Sequence, residues 1–151
     1  MKLVGTANDR FQFQLASREK DLLLEILCLY PRIPPGHQPL SKAAGLDDSS
    51  QRLLDEALAE TRSQNKKELE ALLADPKRLR QQPTGWRLAL SSSEVEWLLQ
   101  VLNDIRVGSW IQLGSPEAPL TALNAKTAPH LSAMEIAGSF QMRFLELMEL
   151  S

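Results

Sequence analysis

The sequence predicts a mainly α-helical single domain spanning 1–151, a bundle of four main helices with two short strands, at about 11–15 and 86–90, that pair with each other. Three observations predict it. Leucine-rich segments recur with helical spacing, so that residues set at about 100° per step around an axis gather on faces. Proline-rich connectors separate those segments, and each proline fixes φ and lacks an amide donor. The chain, at 151 residues, suits one hydrophobic core.

The elements follow in order. Phe11 to Leu15 reads as a strand, and a helix follows from about Ser17 to Leu29. Leu22, Leu23, Leu24, Ile26, Leu27, Cys28 and Leu29 cover nearly its whole circumference, which marks a helix buried on most sides. Cys28, the single cysteine, lacks a neighbouring His or Lys to activate it and reads as a small buried hydrophobe. Pro31, Pro34, Pro35, Gly36 and Pro39 then enforce a loop to about Ser50. A second helix, capped by Ser49 or Ser50, runs to about Asp75 with the apolar stripe Leu54, Leu58, Leu69 and Leu72. Thr61, Asn65 and Glu68 occupy the middle of that same face. After a turn at Gln82 to Gly85, Trp86, Leu88 and Leu90 alternate with Arg87 and Ala89 as a strand does. The third helix opens on Ser91 and Glu94 in capping-box spacing and stops at Gly114. A connector carrying Pro116, Pro119 and Pro129 leads to the last helix, opened by a second capping box, Ser132 and Glu135.

Phe13 to Leu27 and Leu88 to Leu102 align without gaps, matching Ser17 with Ser92, Glu19 with Glu94, and Leu23, Leu24 and Leu27 with Leu98, Leu99 and Leu102. Any strand, cap and helix in succession gives such a match, and a duplicated unit is the alternative.

Composition excludes several functions. A net charge of −2 provides no electrostatic footprint for nucleic acid. The N-terminus has no apolar signal-like run, and Leu22 to Tyr30, broken by Glu25, is too short to span a bilayer, so a cytoplasmic protein without membrane contact is expected. His37 and His130 lie in proline-bearing loops without partners at metal-ligand spacing and read as exposed. Ser91 to Ser93 lacks a glycine elbow, and helix capping accounts for it. Lys66, Lys67, Lys77, Arg78 and Arg80 are interleaved with Glu68, Glu70 and Asp75, which reads as a solvated helical face. No catalytic residue, metal or cofactor is expected.

One residue breaks the pattern. Val95, Leu98, Leu99, Leu102, Ile105 and Leu113 define the apolar face of the third helix, and Arg106 falls near its centre with Asn103 at its flank. A buried guanidinium must be paired, since an unpaired one costs several kcal/mol, roughly 3 to 5 by analogy with broken buried pairs. The polar gap in the second helix supplies candidates, so the expectation is a buried network of Thr61, Asn65, Glu68, Asn103 and Arg106. Its duty is to fix helix register, or else to form a ligand site.

The segment LLQVLNDIRVGSWIQLG resembles an uncharacterised bacterial family, a domain of unknown function numbered twenty-seventeen. The resemblance is carried by Trp97, Leu98, Leu102, Asn103, Asp104, Ile105, Arg106, Leu113 and Gly114, with Glu60, Arg62 and Lys66 in the second helix, over roughly residues 51–114. Ser109 and Trp110 depart from it, standing where the family has small, glycine-like residues, as does the longer proline loop after Tyr30. What the resemblance implies is an all-helical domain without an assigned activity.

The last helix is the better guide to binding. Ile136, Ala137, Phe140, Phe144, Leu145, Leu147 and Met148 span about half its circumference, wider than the roughly 100° stripe one core contact needs. Ile136, Phe140, Phe144, Leu147 and Met148 are therefore the expected interface, to a protein partner or in a homodimer. The function expected is a non-enzymatic interaction or adaptor protein acting through this helix. The alternative is a small-molecule-binding or catalytic domain using a partly buried Glu68 and Arg106 cluster.

Overall fold

A computed structural model, which describes residues 1–34, 47–116 and 124–150, places four helices against one four-stranded antiparallel sheet. The elements are β1 (Lys2–Ala7), β2 (Arg10–Leu15), α1 (Ser17–Leu27), α2 (Asp48–Ala74), β3 (Leu79–Gln82), β4 (Gly85–Ser91), α3 (Ser92–Gln112) and α4 (Ala128–Glu149). The sheet order is β1, β2, β4, β3. The fold is therefore α+β, which overturns the expected mainly α bundle with only two strands.

The two expected strands lie side by side at the centre of the sheet, Phe11 opposite Leu90 and Leu15 opposite Trp86. Their backbones need hydrogen-bond partners on the outer sides as well. Two short hairpins supply them. Asn8 and Asp9, at φ 52° and 59°, form a two-residue loop between Ala7 and Arg10, matching the primed turns that suit twisted hairpins. Pro83 and Thr84 make the corresponding loop between Gln82 and Gly85.

One face of the sheet builds the core. Phe13, Leu15, Leu88 and Leu90 alternate inward and are packed with Leu23, Ile26 and Leu27 of α1, Val95, Leu98, Leu102 and Ile105 of α3, and Ala137, Phe144 and Leu147 of α4. Phe13 and Phe144 meet edge to face, ring centroids 5.2 Å apart and planes at 84°.

The aligned segments noted in the sequence are two hairpin-and-helix units. Ser17 and Ser92 each open a helix, and the same offset, 92 − 17 = 75, carries Ala7 to Gln82 and Arg10 to Gly85 across the hairpin loops. It also carries Phe13 to Leu88, and these two face each other in the sheet. A local two-fold axis thus passes between them. Each unit locks its helix start in the same way. Glu19 accepts from the Ala16 amide (2.9 Å) and from the N-terminal ammonium of Met1; Glu94 accepts from the Ser91 amide (2.8 Å) and from Arg78. The cation in each case stands one residue before the outer strand.

Several boundaries differ from expectation. Helix α1 ends at Leu27 with only one side in the core, and Cys28 is exposed, because the chain leaves the helix there toward Pro31. Helix α2 is capped by Asp47, which accepts from the Ser50 amide (2.7 Å), and of its leucine stripe Leu69 is buried while Leu54, Leu58 and Leu72 are half-buried. Helix α4 begins at Ala128, led in by Asn124, whose Oδ1 accepts from the Lys126 and Thr127 amides (2.8 and 3.0 Å). Ser132 and Glu135 are thus exposed residues inside the helix rather than its cap.

Burial raises the Glu94 carboxyl, but hydrogen bonds from Arg78 and Ser91 outweigh it and hold the group below the ordinary value of 4.5; Glu19 behaves alike, with burial outweighed by the N-terminal ammonium and the Ala16 amide. A carboxylate with a lowered folded pKa contributes stability in full above its unfolded value, and that contribution is lost as pH falls through the folded value. Glu94→Gln is expected to lower stability at neutral pH and to flatten the decline on acidification below 4.5, read from urea denaturation along a pH series. An unchanged acid slope contradicts this role.

Candidate functional site

Arg106 is exposed, and Nη2 donates to Oδ1 of exposed Asn103 (2.9 Å). Thr61 is exposed and bonds back to the Ala57 carbonyl (3.0 Å), and exposed Glu68 accepts from Gln64 (3.3 Å). Asn65 is half-buried and donates to the Tyr30 hydroxyl (3.2 Å). The structure joins Arg106 to Asn103 and leaves Thr61, Asn65 and Glu68 apart from them. The expected five-residue network is not assembled. The reason lies on α3: Val101, Gly108 and Ser109 are buried while Leu99 and Leu113 are only half-buried. The buried arc is rotated away from Arg106.

A half-buried polar cluster does connect α2 and α3, built from neighbours of the expected residues. Asp104 Oδ1 accepts from the Arg32 and Ile33 amides (2.7 and 3.3 Å), and its Oδ2 lies 3.7 Å from Arg62, whose Nη1 donates to the Ile33 carbonyl (3.2 Å). The side chains of Arg62 and Asp104 are 15% and 11% exposed. Lys66 donates to the Cys28 carbonyl (3.2 Å). Arg62, Asn65 and Lys66, at i, i+3 and i+4, thus fasten the strap Cys28 to Ile33 to α2, while Asp104 fastens it to α3. Burial pushes the Tyr30 phenol pKa up, with Asp104 acting in the same direction against the Asn65 hydrogen bond and Arg62.

Gly108, one turn beyond Asp104, makes room for the strap. A Cβ there would lie 2.5 Å from the Arg32 carbonyl carbon and 2.7 Å from the Ile33 nitrogen, distances real Cβ atoms do not occupy. This glycine at helical spacing from an aspartate was the signal in the sequence that could have found the cluster. His130, expected exposed in a loop, is half-buried in the first turn of α4, with Nδ1 2.7 Å from Arg32 Nη2. Guanidinium only donates, so Nδ1 is the acceptor and the ring proton sits on Nε2. His37 lies outside the described residues.

The other flank of α3, beside α4, is open. Arg106 lies over Gly138, its Cδ 3.7 Å from where a Cβ would stand. A groove of about 760 Å³ lined by Met134, Glu135, Gly138, Met142 and Leu145, and a smaller one of about 210 Å³ lined by Val107, Trp110 and Met134, meet at Arg106. Met142 is 63% exposed, Leu145 51% and Trp110 36%. The interface expected on this helix lies elsewhere: Phe140, Phe144 and Leu147 are buried in the core, and Ile136 and Met148 are half-buried against it. The aromatic side of α4 is consumed by the sheet, where Phe144 meets Phe13. Glu68 lines a separate cleft of about 490 Å³ with Asp75, Arg78, Glu94 and Trp97, so it shares no site with Arg106.

Asp104→Ala is expected to cost about 3 kcal/mol, since it strands two amides and a mostly buried guanidinium. Arg106→Ala is expected to cost less than about 0.5 kcal/mol, as an exposed residue with one neutral hydrogen bond. Urea denaturation of the two variants checks the pair, and a reversed order contradicts the assignment.

No group of three or more His, Cys, Asp or Glu side chains is placed to hold a metal ion among the described residues, and no helix there is long and apolar enough to cross a membrane. Compared with known proteins, the chain matches no family model, no curated protein and no solved structure.

Proposed function

We propose that this chain is a non-enzymatic interaction protein of the cytoplasm, and that its working surface is the outer face of α4 with the adjoining edge of α3, which receives a helix of a protein partner. The observation that carries this reading is the second apolar stripe of α4. One side of the helix, Ala133, Ala137, Phe140, Phe144 and Leu147, closes the core. The other carries Met134, Met142 and Leu145, and Met142 and Leu145 remain more than half exposed although the core is complete without them. Contiguous exposed apolar surface beside a polar rim, here Arg106, Glu135 and Gln141, is the character of a protein contact. Unbranched methionines suit a surface that accepts another helix, because they repack at little cost. Membership of the uncharacterised family that Trp97 to Gly114 resembles belongs to the same proposal and adds no activity to it. Glu68 and Arg106 line different clefts and so share no ligand site.

Photo-crosslinking in living cells tests the surface. A photoreactive phenylalanine replacing Met142 is expected to yield a discrete product that disappears when Leu145→Glu is added. The same group at exposed Glu70, on α2, is expected to yield none. Equal background at both positions contradicts the reading.

A further inference from the structure

We infer that the helix received by this face is the same helix of a second copy of the chain, crossing antiparallel over Gly138, an inference that rests on the interaction reading above. The ground is a symmetry of the stripe. Leu131, Met134, Gly138, Met142 and Leu145 stand three, four, four and three residues apart, so the stripe reads the same from either end. At 100° per residue all five fall within about 40° of Gly138 on the helix surface. A two-fold axis at Gly138 sets residue 138 + n level with residue 138 − n of the other copy. Met142 then comes level with Met134 of the partner subunit, and Leu145 with the partner's Leu131. In an isologous contact residue i meets residue j and j meets i, and this stripe meets that condition with an apolar residue or glycine at every level.

The glycine points the same way. A Cβ at Gly138 would touch only Arg106 Cδ, at an ordinary 3.7 Å, so nothing inside the protomer excludes an alanine there. Glycine also weakens a helix interior relative to alanine. Close approach of a second backbone accounts for it, as small residues do wherever helices cross tightly.

Charge is compatible with the crossing. Glu135 comes level with the partner's Gln141 and Glu149 with the partner's Thr127, so no like-charged pair is forced together. Arg106 stands level with Gly138 and therefore beside the axis. Its guanidinium is drawn to Asn103, one turn back along α3, which takes it off the axis and away from the partner's Arg106. That displacement brings it to the level of the partner's Trp110, one turn forward along α3. Trp110 is 36% exposed, its indole is fixed by Nε1 donating to the Pro116 carbonyl (3.0 Å), and in the crossing it is the aromatic group within reach of the cation.

Sedimentation equilibrium of the full chain at micromolar concentration is the test, with circular dichroism confirming that each variant keeps its helices. The wild type is expected to be a dimer. Met134→Glu and Met142→Lys are each expected to weaken it about tenfold or more. The double variant M134E/M142K sets opposite charges level in both halves of the crossing and is expected to recover to within about threefold of wild type. Gly138→Leu is expected to abolish the dimer with helix content retained. A wild type that sediments as a monomer, or a double variant no better than the singles, overturns the crossing. If the photo-crosslink at position 142 then captures only a chain of different mass, the dimer falls and the interaction reading stands; if it captures nothing, both fall.

Discussion

The register of the central strand pair is the constraint on which the rest of the structure depends. Phe13 opposite Leu88 places Leu15 and Leu90 on the same buried face, and a slip by one residue would turn all four toward the other side. The helices are bound to that register, because α1 starts two residues after β2 ends and α3 starts on the residue after β4. Each helix is then held at its first turn by a glutamate that also binds a cation from the mouth of the outer strand. Sheet register, helix position and hairpin closure are in this way one interlocked arrangement, repeated twice about the axis between Phe13 and Leu88.

Helix α4 stands outside the repeat and closes it. Phe144 seats against Phe13 at the centre of the sheet, and the small residues Ala133 and Ala137 let α4 lie close against the core. Helix α3 consequently has two flanks with different duties. On one, Asp104 and Gly108 receive the strap that leads from α1 to α2, and on the other Arg106 lies over Gly138 of α4. A single residue separates a structural carboxylate, whose partners are backbone amides and a half-buried arginine, from a guanidinium free of any carboxylate among the described residues. The free one faces the exposed stripe of α4. A complete core on one side of α4 and an apolar stripe on the other is the asymmetry from which the proposed function follows.

Much of this was legible in the sequence wherever a side chain announces its local backbone. The Ser91 and Glu94 spacing marked the start of α3, and Gly114, at φ 88°, marked its end. The alternation in Phe11 to Leu15 and Trp86 to Leu90 marked the inner strands, which face the core. The outer strands were not legible, because β1 and β3 are edge strands that bury little beyond Leu3 and Leu79, and in β1 an exposed Val4 beside Leu3 hides the alternation in burial. The signals that could have found them are the need of both inner strands for partners on their outer sides and the Asn8 and Asp9 pair between Ala7 and Arg10. Arg106 sits off the buried arc because Leu99 and Leu113 are apolar yet only half-buried whereas Val101 and Gly108 are buried, which turns the core-facing side of α3 by about half a quadrant from the one its leucines mark. The breadth of apolar surface on α4 was legible, but its division was not. Which side closes a core depends on the sheet, and the aromatic side went inward.

Whether the outward side of α4 meets its own copy can be observed atom by atom. Met134 and Met142 carry isolated methyl groups with narrow, assignable signals, and in the crossing they lie level with one another only between copies. An isotope-filtered nuclear Overhauser measurement on a mixed sample, one half methyl-labelled at methionine and the other unlabelled, reports contacts between copies alone. Cross-peaks are expected between the Met134 methyl of one copy and the Met142 side chain of the other, and between Leu131 and Leu145 in the complementary labelling. Intermolecular peaks linking Met142 to Met142, or the absence of any intermolecular peak, would contradict the crossing.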